Sequence, residues 1–327
     1  MKIIITGING FIGSQIANRF INNGHEILGI GRQHEMSKLI NPKADYLKWD
    51  LRIPGTSQLT ADVIIHSAAL ANDFGSYSEF YENNVTATKN LLHTLSNIPI
   101  FIYVSTSSVY QFNQEMVKEG HSENVNTGLS NYGKTKLIAE NTIREFNGIP
   151  FKFILRPRSV YGKCDRLILP KLLNLIRGGK IVIPKHLTKK ISLTHIENFI
   201  DAVELCINNP HKQGTYNITD DVPYDLNIDL PGLLKAATGM NLKSVKIPRL
   251  IWEVMIGANE LMHFSKSLSR FGSAQLTKTA LLDITNAKVN LGYAPKMRIN
   301  DSFLEINQWV NSIGGWEMYR DNPTLSK

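Results

Sequence analysis

Tyr132 and Lys136 stand four residues apart in the segment Tyr132-Gly133-Lys134-Thr135-Lys136. On a helix that spacing puts both side chains on one face. A free tyrosine titrates at about pH 10, and a neighbouring ammonium favours the phenolate. The pair therefore reads as a tyrosine whose pKa is lowered into the working range of a general acid or base. A second polar cluster, Ser105-Thr106-Ser107-Ser108, follows the apolar run Phe101-Ile102-Tyr103-Val104. Hydroxyls at the end of a parallel strand face the crevice in which such sheets bind ligands, and they suit a substrate oxygen. The third cluster is Gly7-Ile8-Asn9-Gly10-Phe11-Ile12-Gly13, placed between a β-type run and a helical pattern. Glycines at this spacing let the backbone turn tightly against a pyrophosphate, and the following helix N-terminus offers it free N–H groups.

The next informative position lies after the second apolar run. A carboxylate there accepts hydrogen bonds from an adenosine ribose, whereas an arginine pairs with a 2′-phosphate. The residues are Gly31-Arg32, with Glu35 three positions on. This charge favours NADP and leaves NAD open. Asp50-Leu51 lies where the chain approaches an adenine ring. In His66-Ser67-Ala68-Ala69 the small residues let the backbone pass beneath a dinucleotide, and His66 is given no chemical role.

These clusters need a scaffold. Apolar runs at 2–6, 25–30, 62–66, 100–104 and 151–155 alternate with helical patterns at 10–22, 78–96 and 127–146. Strands alternating with helices predict a doubly wound parallel α/β sheet with helices on both faces. After Arg156-Pro157 the alternation loosens and prolines recur at 170, 184, 210, 223, 231, 248 and 295. We read residues 1–160 as a dinucleotide-binding domain. Residues 161–327 read as a smaller mixed α/β substrate lobe, with some segments returning to the sheet. The stretch 247–262, with Trp252, Met255, Ile256 and Leu261, reads as a buried helix covering that lobe.

The composition sets outer bounds. The chain has 327 residues, 43% hydrophobic and 20% charged, which excludes collagen-like and disordered classes. Its net charge of +8 is scattered, with the densest group at Lys185, His186, Lys189 and Lys190, and reads as a solvated surface rather than a nucleic-acid footprint. Two cysteines, Cys164 and Cys206, make neither a disulfide framework nor a four-cysteine zinc site, and no metal is expected. No apolar run reaches the length of about 18 residues that a membrane span needs. The apolar stretch Ile3-Ile4-Ile5 is too short for a signal peptide, so a cytoplasmic protein is expected.

Taken in order, these segments resemble the extended short-chain dehydrogenase/reductases, the NAD(P)-dependent epimerase/dehydratase family. The resemblance also rests on Asn83-Asn84-Val85, Val160-Tyr161-Gly162, Thr194-His195-Ile196-Glu197-Asn198, Tyr216-Asn217-Ile218 and Leu291-Gly292-Tyr293-Ala294-Pro295, and covers about residues 1–310. It implies a Rossmann-like fold, a possible homodimer, and hydride transfer between nicotinamide and a sugar carbon. It implies Thr106, Tyr132 and Lys136 as the catalytic set: Thr106 on the reacting oxygen, Tyr132 as acid/base, and Lys136 on the nicotinamide ribose. The cofactor-binding set is Gly7, Asn9, Gly10, Phe11, Ile12, Gly13, Arg32, Asp50, Leu51, Ser67, Ala68, Ala69, Asn84, Tyr132, Lys136 and Arg156. Ser107, Ser108, Arg166 and Lys190 are expected at the substrate, with Lys171 and Arg177 as further phosphate partners.

Absences narrow the reaction. The sugar 4,6-dehydratases that the chain resembles carry acidic residues after the catalytic threonine, where Ser107 and Ser108 stand here. No cysteine occupies this strand end, as it does in members that epimerise beside a ketone. The expectation is a 4-keto reductase acting on a nucleotide sugar with NADP. A nucleotide-sugar 4-epimerase, a 3β-hydroxysteroid-dehydrogenase-like alcohol dehydrogenase and a non-enzymatic dinucleotide sensor remain as alternatives.

Overall fold

The computed structural model describes residues 1–72, 75–110, 116–120, 129–187, 190–262 and 270–322. Residues 127 and 128, Lys189 and the side chain of Leu261 lie outside the described residues. The first half runs β1 (Lys2–Thr6), α1 (Phe11–Asn22), β2 (Glu26–Gly31), β3 (Asp45–Lys48), β4 (Val63–His66), α2 (Tyr77–Tyr81), α3 (Ala87–His93), β5 (Ile100–Val104), α4 (Asn131–Glu145) and β6 (Phe151–Pro157). The second half adds β7 (Val160–Tyr161), α5 (Ile168–Leu173), β8 (Ile176–Arg177), β9 (Lys180–Pro184), β10 (Thr194–His195), α6 (Ile196–Asn208), β11 (Gly214–Ile218), α7 (Leu226–Thr238), β12 (Lys243–Ile247), α8 (Arg249–Met262) and α9 (Arg270–Thr277).

Seven strands form one sheet in the order β11-β6-β5-β4-β1-β2-β3, and each neighbouring pair is parallel. Strands buried on both faces read as continuous apolar runs, and β1, β4 and β5 do so through Ile3-Ile4-Ile5, Val63-Ile64-Ile65 and Ile100 to Val104. Ile16 and Phe20 of α1 share one core with Phe199 and Val203 of α6, while Leu91 of α3 and Ala139 and Ile143 of α4 fill the other. The sheet is therefore doubly wound and Rossmann-like, and the strand order reverses between β1 and β4, where such sheets open their crevice.

Two expected helices have different bounds, and one expected core residue lies outside. The helix expected over 78–96 is α2, a π-turn at Glu82–Thr86, and α3, which ends at His93. It stops there as Leu59 bridges the segment 94–96, donating its N–H to the Thr94 carbonyl and accepting the Ser96 N–H on its own carbonyl. The helix expected over 127–146 begins at Asn131, since the Ser130 hydroxyl accepts the Gly133 N–H at 3.1 Å and caps it. Met255 of α8, expected inside, is 41% exposed.

In the second half, β11 returns to the edge of the large sheet and pairs with β6 from Gly214↔Phe153 to Ile218↔Pro157. The strands β12, β9 and β8 form a separate small sheet. Segment 194–198 is a corner between these parts. Asp220 accepts from the His195 N–H and the Asn198 amide, each at 2.7 Å, while Asn198 accepts the Lys296 and Met297 N–H groups at 2.9 Å.

His66 is buried under the β1–β4 crevice. Its Nδ1 lies 2.7 Å from the Thr6 hydroxyl and its Nε2 2.9 Å from that of Thr88. The Thr88 hydroxyl already donates to the Asn84 carbonyl, so it accepts from Nε2–H and Nδ1 accepts from Thr6. Burial, reinforced by the Lys136 charge, lowers the His66 pKa from 6.5 to about 3. Between those values the unfolded chain binds a proton here that the folded chain refuses. Stability therefore falls with falling pH, by up to about 1.4 kcal/mol per unit from this group. His66→Gln should flatten that part of the slope in urea unfolding measured from pH 6.5 to 4. An unchanged slope would remove His66 as its source.

Candidate active site

The nucleotide end of the crevice is built by close approach. Gly7 has φ +67°, and a Cβ there would meet the Ala68 Cα at 2.7 Å. A Cβ on Gly13 would meet the Gly7 carbonyl oxygen at 2.5 Å. The Gly10 N–H closes the turn on the Gly7 carbonyl at 2.8 Å. Helix α1 then starts without a side-chain cap or an acidic residue in its first turn, so its N–H groups and dipole face the crevice. Gly7, Gly10, Phe11, Ile12, Gly13, Arg32, Ser67 and Ala69 line a cleft of about 570 Å³. This cradle fits the pyrophosphate of a dinucleotide.

Several expected cofactor residues stand elsewhere. Asn9 is buried behind the turn, donating to Gln33 and the Glu35 carbonyl and accepting from the Ser37 N–H, so it clips the loop after β2. Ala68 lies beneath Gly7. Asp50 is engaged by Arg52, whose Nε reaches both carboxylate oxygens, at 3.0 and 3.1 Å. This pairing holds the Asp50 pKa below its ordinary value. Leu51 belongs to the core. Asn84, in the π-turn, clamps the Leu70 backbone and the Thr135 hydroxyl. None of these five lines the cleft.

At the opposite end, β5 delivers the hydroxyl cluster. The Thr106 hydroxyl accepts the Ser108 N–H at 3.1 Å and donates to Ser108 Oγ at 3.2 Å, which holds the turn over 107–109. Thr106, Ser107 and Ser108 line the cleft, and Tyr132 faces them. Helix α4 comes this close because residue 133 is glycine: a Cβ there would sit 2.1 Å from the Ser108 carbonyl oxygen. Burial pushes the Tyr132 pKa up to about 12, an effect that the nearby Thr106 hydroxyl partly offsets. Lys136 donates to the Val104 carbonyl at 2.7 Å and lies 3.9 Å from the Tyr103 ring centroid. Burial lowers the Lys136 pKa to about 7, against the pull of the Glu140 carboxylate. The i,i+4 spacing suggested that Lys136 lowers the Tyr132 pKa. The structure corrects this: desolvation dominates both groups, and Lys136 is committed to Val104.

Arg156, expected at the cofactor, is fully buried and does not reach the cleft. It pairs with Glu140 of α4, with Nε at 3.0 Å from Oε1, and donates to the Tyr110 hydroxyl at 2.7 Å. The physical reason is electrostatic: the Glu140 carboxylate, buried in the same layer, needs a cation. Ser105 and Arg144 donate to the same carboxylate. Sequence reasoning missed Glu140, although it stands one helical turn beyond Lys136.

The substrate side of the cleft is largely apolar, with Leu175, Leu193, Leu226, Leu233, Trp252 and Leu276 in its wall. Arg166 lines it too, but its guanidinium donates to the Asn9 carbonyl at 2.8 Å and braces the glycine-rich turn. Lys171 lines the same wall. Lys190 and Arg177 are exposed and do not line the cleft. Arg158, which sequence reasoning passed over, is 3% exposed and lies in the cleft wall just beyond β6. Burial lowers its pKa to about 9, which leaves it charged at neutral pH. Among the described residues no group of three or more His, Cys, Asp or Glu is arranged to hold a metal. No described helix is long and apolar enough to cross a membrane.

A doubly wound sheet, a glycine cradle at its crevice and a tyrosine and lysine on the flanking helix define an NAD(P)-dependent enzyme of the short-chain dehydrogenase/reductase type. The chain belongs to the NAD dependent epimerase/dehydratase family, whose model matches residues 3–219. It is 25% identical to a 2-alkyl-3-oxoalkanoate reductase of Stenotrophomonas maltophilia, over 92% of this chain and 97% of that protein. It is 24% identical to a 3-beta-hydroxysteroid dehydrogenase of Mycolicibacterium neoaurum, over 93% of this chain and 90% of that one. Its fold superposes on UDP-glucuronic acid 4-epimerase from Bacillus cereus, solved with NAD, with a TM-score of 0.75 and 22% identity, covering 96% of this chain and 99% of that one.

Gly133→Ala tests the close approach of α4. The added methyl meets backbone rather than a flexible side chain, so Tyr132 must move away from Thr106. A displacement near 1 Å at a reacting group costs about 100-fold in rate. Turnover should fall by that order while dinucleotide affinity holds. Unchanged turnover would mean the contact does not position Tyr132.

Proposed function

We propose that this enzyme transfers hydride at the carbonyl or secondary alcohol carbon of an apolar substrate, working chiefly as a reductase. The observation that carries this reading is the apolar lining that shares one cleft with Thr106 and Tyr132. The relatives named as an oxoalkanoate reductase and a hydroxysteroid dehydrogenase, matched over nearly their whole length, support it. The charged Arg158 in the same wall suits an acidic group on the substrate. A nucleotide sugar is the second reading, favoured by Arg166 and Lys171, whose cations suit a diphosphate.

A bound nicotinamide dinucleotide supplies the hydride. Gly7, Gly10 and Gly13 with the start of α1 would hold its pyrophosphate. In reduction the Tyr132 hydroxyl gives its proton to the substrate oxygen, and Thr106 holds that oxygen by a hydrogen bond. A tyrosine pKa of about 12 keeps this proton in place at neutral pH, the state that the reductive direction requires. Lys136, one turn further along α4, is anchored by the Val104 carbonyl and holds this end of the helix against β5. The apolar wall excludes water from the reacting carbon.

We assign the cofactor as NADPH. Arg32 is exposed at the end of the cleft, and Lys48 stands near it on β3, its Nζ 3.2 Å from the His34 ring nitrogens. Arg32→Ala should weaken NADPH by about tenfold or more and leave NADH nearly unchanged. Equal losses would overturn the assignment.

Substrate class is tested by assaying the purified enzyme with NADPH against a 2-alkyl-3-oxoalkanoate, a 3-ketosteroid and a UDP-4-keto sugar. Turnover of either apolar substrate with none of the sugar supports the first reading. The reverse selects the second. Tyr132→Phe should cost roughly 10²–10⁴-fold in turnover on the accepted substrate.

A further inference from the structure

Arg166 joins the two halves of the chain at the glycine-rich turn. It follows β7, where the substrate side begins, and its guanidinium donates to the Asn9 carbonyl, 157 residues earlier, at 2.8 Å. Asn9 lies between Gly7 and Gly10, so this cation rests against the turn whose glycines suit a pyrophosphate. The Asn9 side chain meanwhile accepts the Ser37 N–H at 2.8 Å and holds the loop after β2. One residue thus ties together the turn, that loop and the segment carrying Arg166.

The segment is built to keep Arg166 in place. The Asp165 N–H closes on the Gly162 carbonyl at 3.2 Å. Cys164, between them, has φ +68°, left-handed backbone that a non-glycine residue keeps only where its surroundings hold it. The buried Asp165 carboxylate accepts the Leu167, Ile168 and Leu169 N–H groups at 2.7, 3.0 and 2.7 Å and so fixes the start of α5. The Asp165 carbonyl accepts the hydroxyl of Tyr319, a buried residue of the C-terminal helix Trp316–Asp321.

The charge around the cleft has one sign. Arg32, Arg158, Arg166 and Lys171 line it, and among the described residues no Asp or Glu does. Helix α1 adds its N–H groups, with no acidic residue in its first turn. The Asn9 carbonyl is a neutral acceptor. Hydrogen bonds from a guanidinium to phosphate oxygens are charge-assisted, about twice as strong, and frequently bidentate. A pyrophosphate held by the glycines is therefore the better partner for Arg166.

We propose that Arg166 is a cofactor ligand supplied by the substrate side of the chain, clamping the dinucleotide pyrophosphate against the glycine-rich turn. The proposal rests on the reading of that turn as the dinucleotide cradle and deepens it. Ile168, Lys171 and Leu172, which follow Arg166 on α5, line the same cleft. The clamp thus couples the bound dinucleotide to the wall that receives the substrate. It also removes Arg166 from the groups available to a substrate diphosphate.

Calorimetric titration with ADP-ribose, which carries the pyrophosphate without the nicotinamide, tests the clamp apart from turnover. Arg166→Gln keeps a donor for the Asn9 carbonyl and loses the charge, whereas Arg166→Lys keeps the charge. ADP-ribose affinity should fall at least about tenfold in Arg166→Gln and by much less in Arg166→Lys. Rising salt should weaken binding less steeply in Arg166→Gln than in the wild type. The two variants should share one thermal midpoint, so that the difference between them is one of charge. Wild-type affinity in Arg166→Gln, or equal losses in both variants, would leave Arg166 as a brace for the turn and overturn the proposal. Wild-type protein that fails to bind ADP-ribose would overturn the cradle itself.

Discussion

One buried carboxylate, Glu140, holds the catalytic end of the cleft together. It takes hydrogen bonds from Ser105 at the end of β5, from Arg156 in β6 and from Arg144 on its own helix. These contacts fix the height and rotation of α4 against two strands. The same helix carries Tyr132 and Lys136 on the turns before it. Breaking a buried pair by removing one partner costs roughly 3–5 kcal/mol, because the other charge is left in a medium that cannot solvate it. The position of the tyrosine is thereby set by an ion pair that never meets the ligand. Arg156 passes the constraint on through Tyr110 to Asn217 in β11, so four elements share one polar layer inside an apolar sheet.

That layer also explains the unusual charge states around it. Burial lowers Lys136 to about 7 and His66 to about 3 while raising Tyr132 to about 12. All three shifts follow one rule: desolvation favours whichever form is neutral. The chemistry at this end is thus set by dryness more than by pairing, in contrast to the nucleotide end, where exposed Arg32 and an uncapped helix face solvent. The cleft joins a polar, anion-seeking half to a dry half, which suits a ligand pair with one charged and one apolar member.

Much of this was legible in the sequence, and the reasons differ by residue. The glycine turn, β1, β5 and the pair on α4 are local patterns, readable from neighbours within one element. The partnership of Arg156 with Glu140 was not, because it exists only once β6 lies under α4. Strand β3 gave little signal: it is an edge strand, and only Tyr46 of its four residues is more than marginally covered. Lys190 looked like a ligand because of its charge, whereas Arg158 occupies the wall through a strand end that only the folded sheet places. Helix α8 misled in another way. With apolar residues on both sides its pattern could not say which side faces inward, and Met255 proved to face out.

The strand β11 reaches its place beside β6 only after the chain has built β7 to β10 and α6. Until then the last strand of the sheet has an open parallel edge, with the five positions from Phe153 to Pro157 unpaired. Such an edge invites pairing with other chains. A protein of this topology therefore emerges from synthesis with its sheet unsealed, and it stays exposed to misassociation until the second half of the chain arrives to close it. A fragment ending near residue 160 keeps that edge open permanently. The sheet of the nucleotide half is completed by a strand from the substrate half, however separable they look as two stretches of sequence.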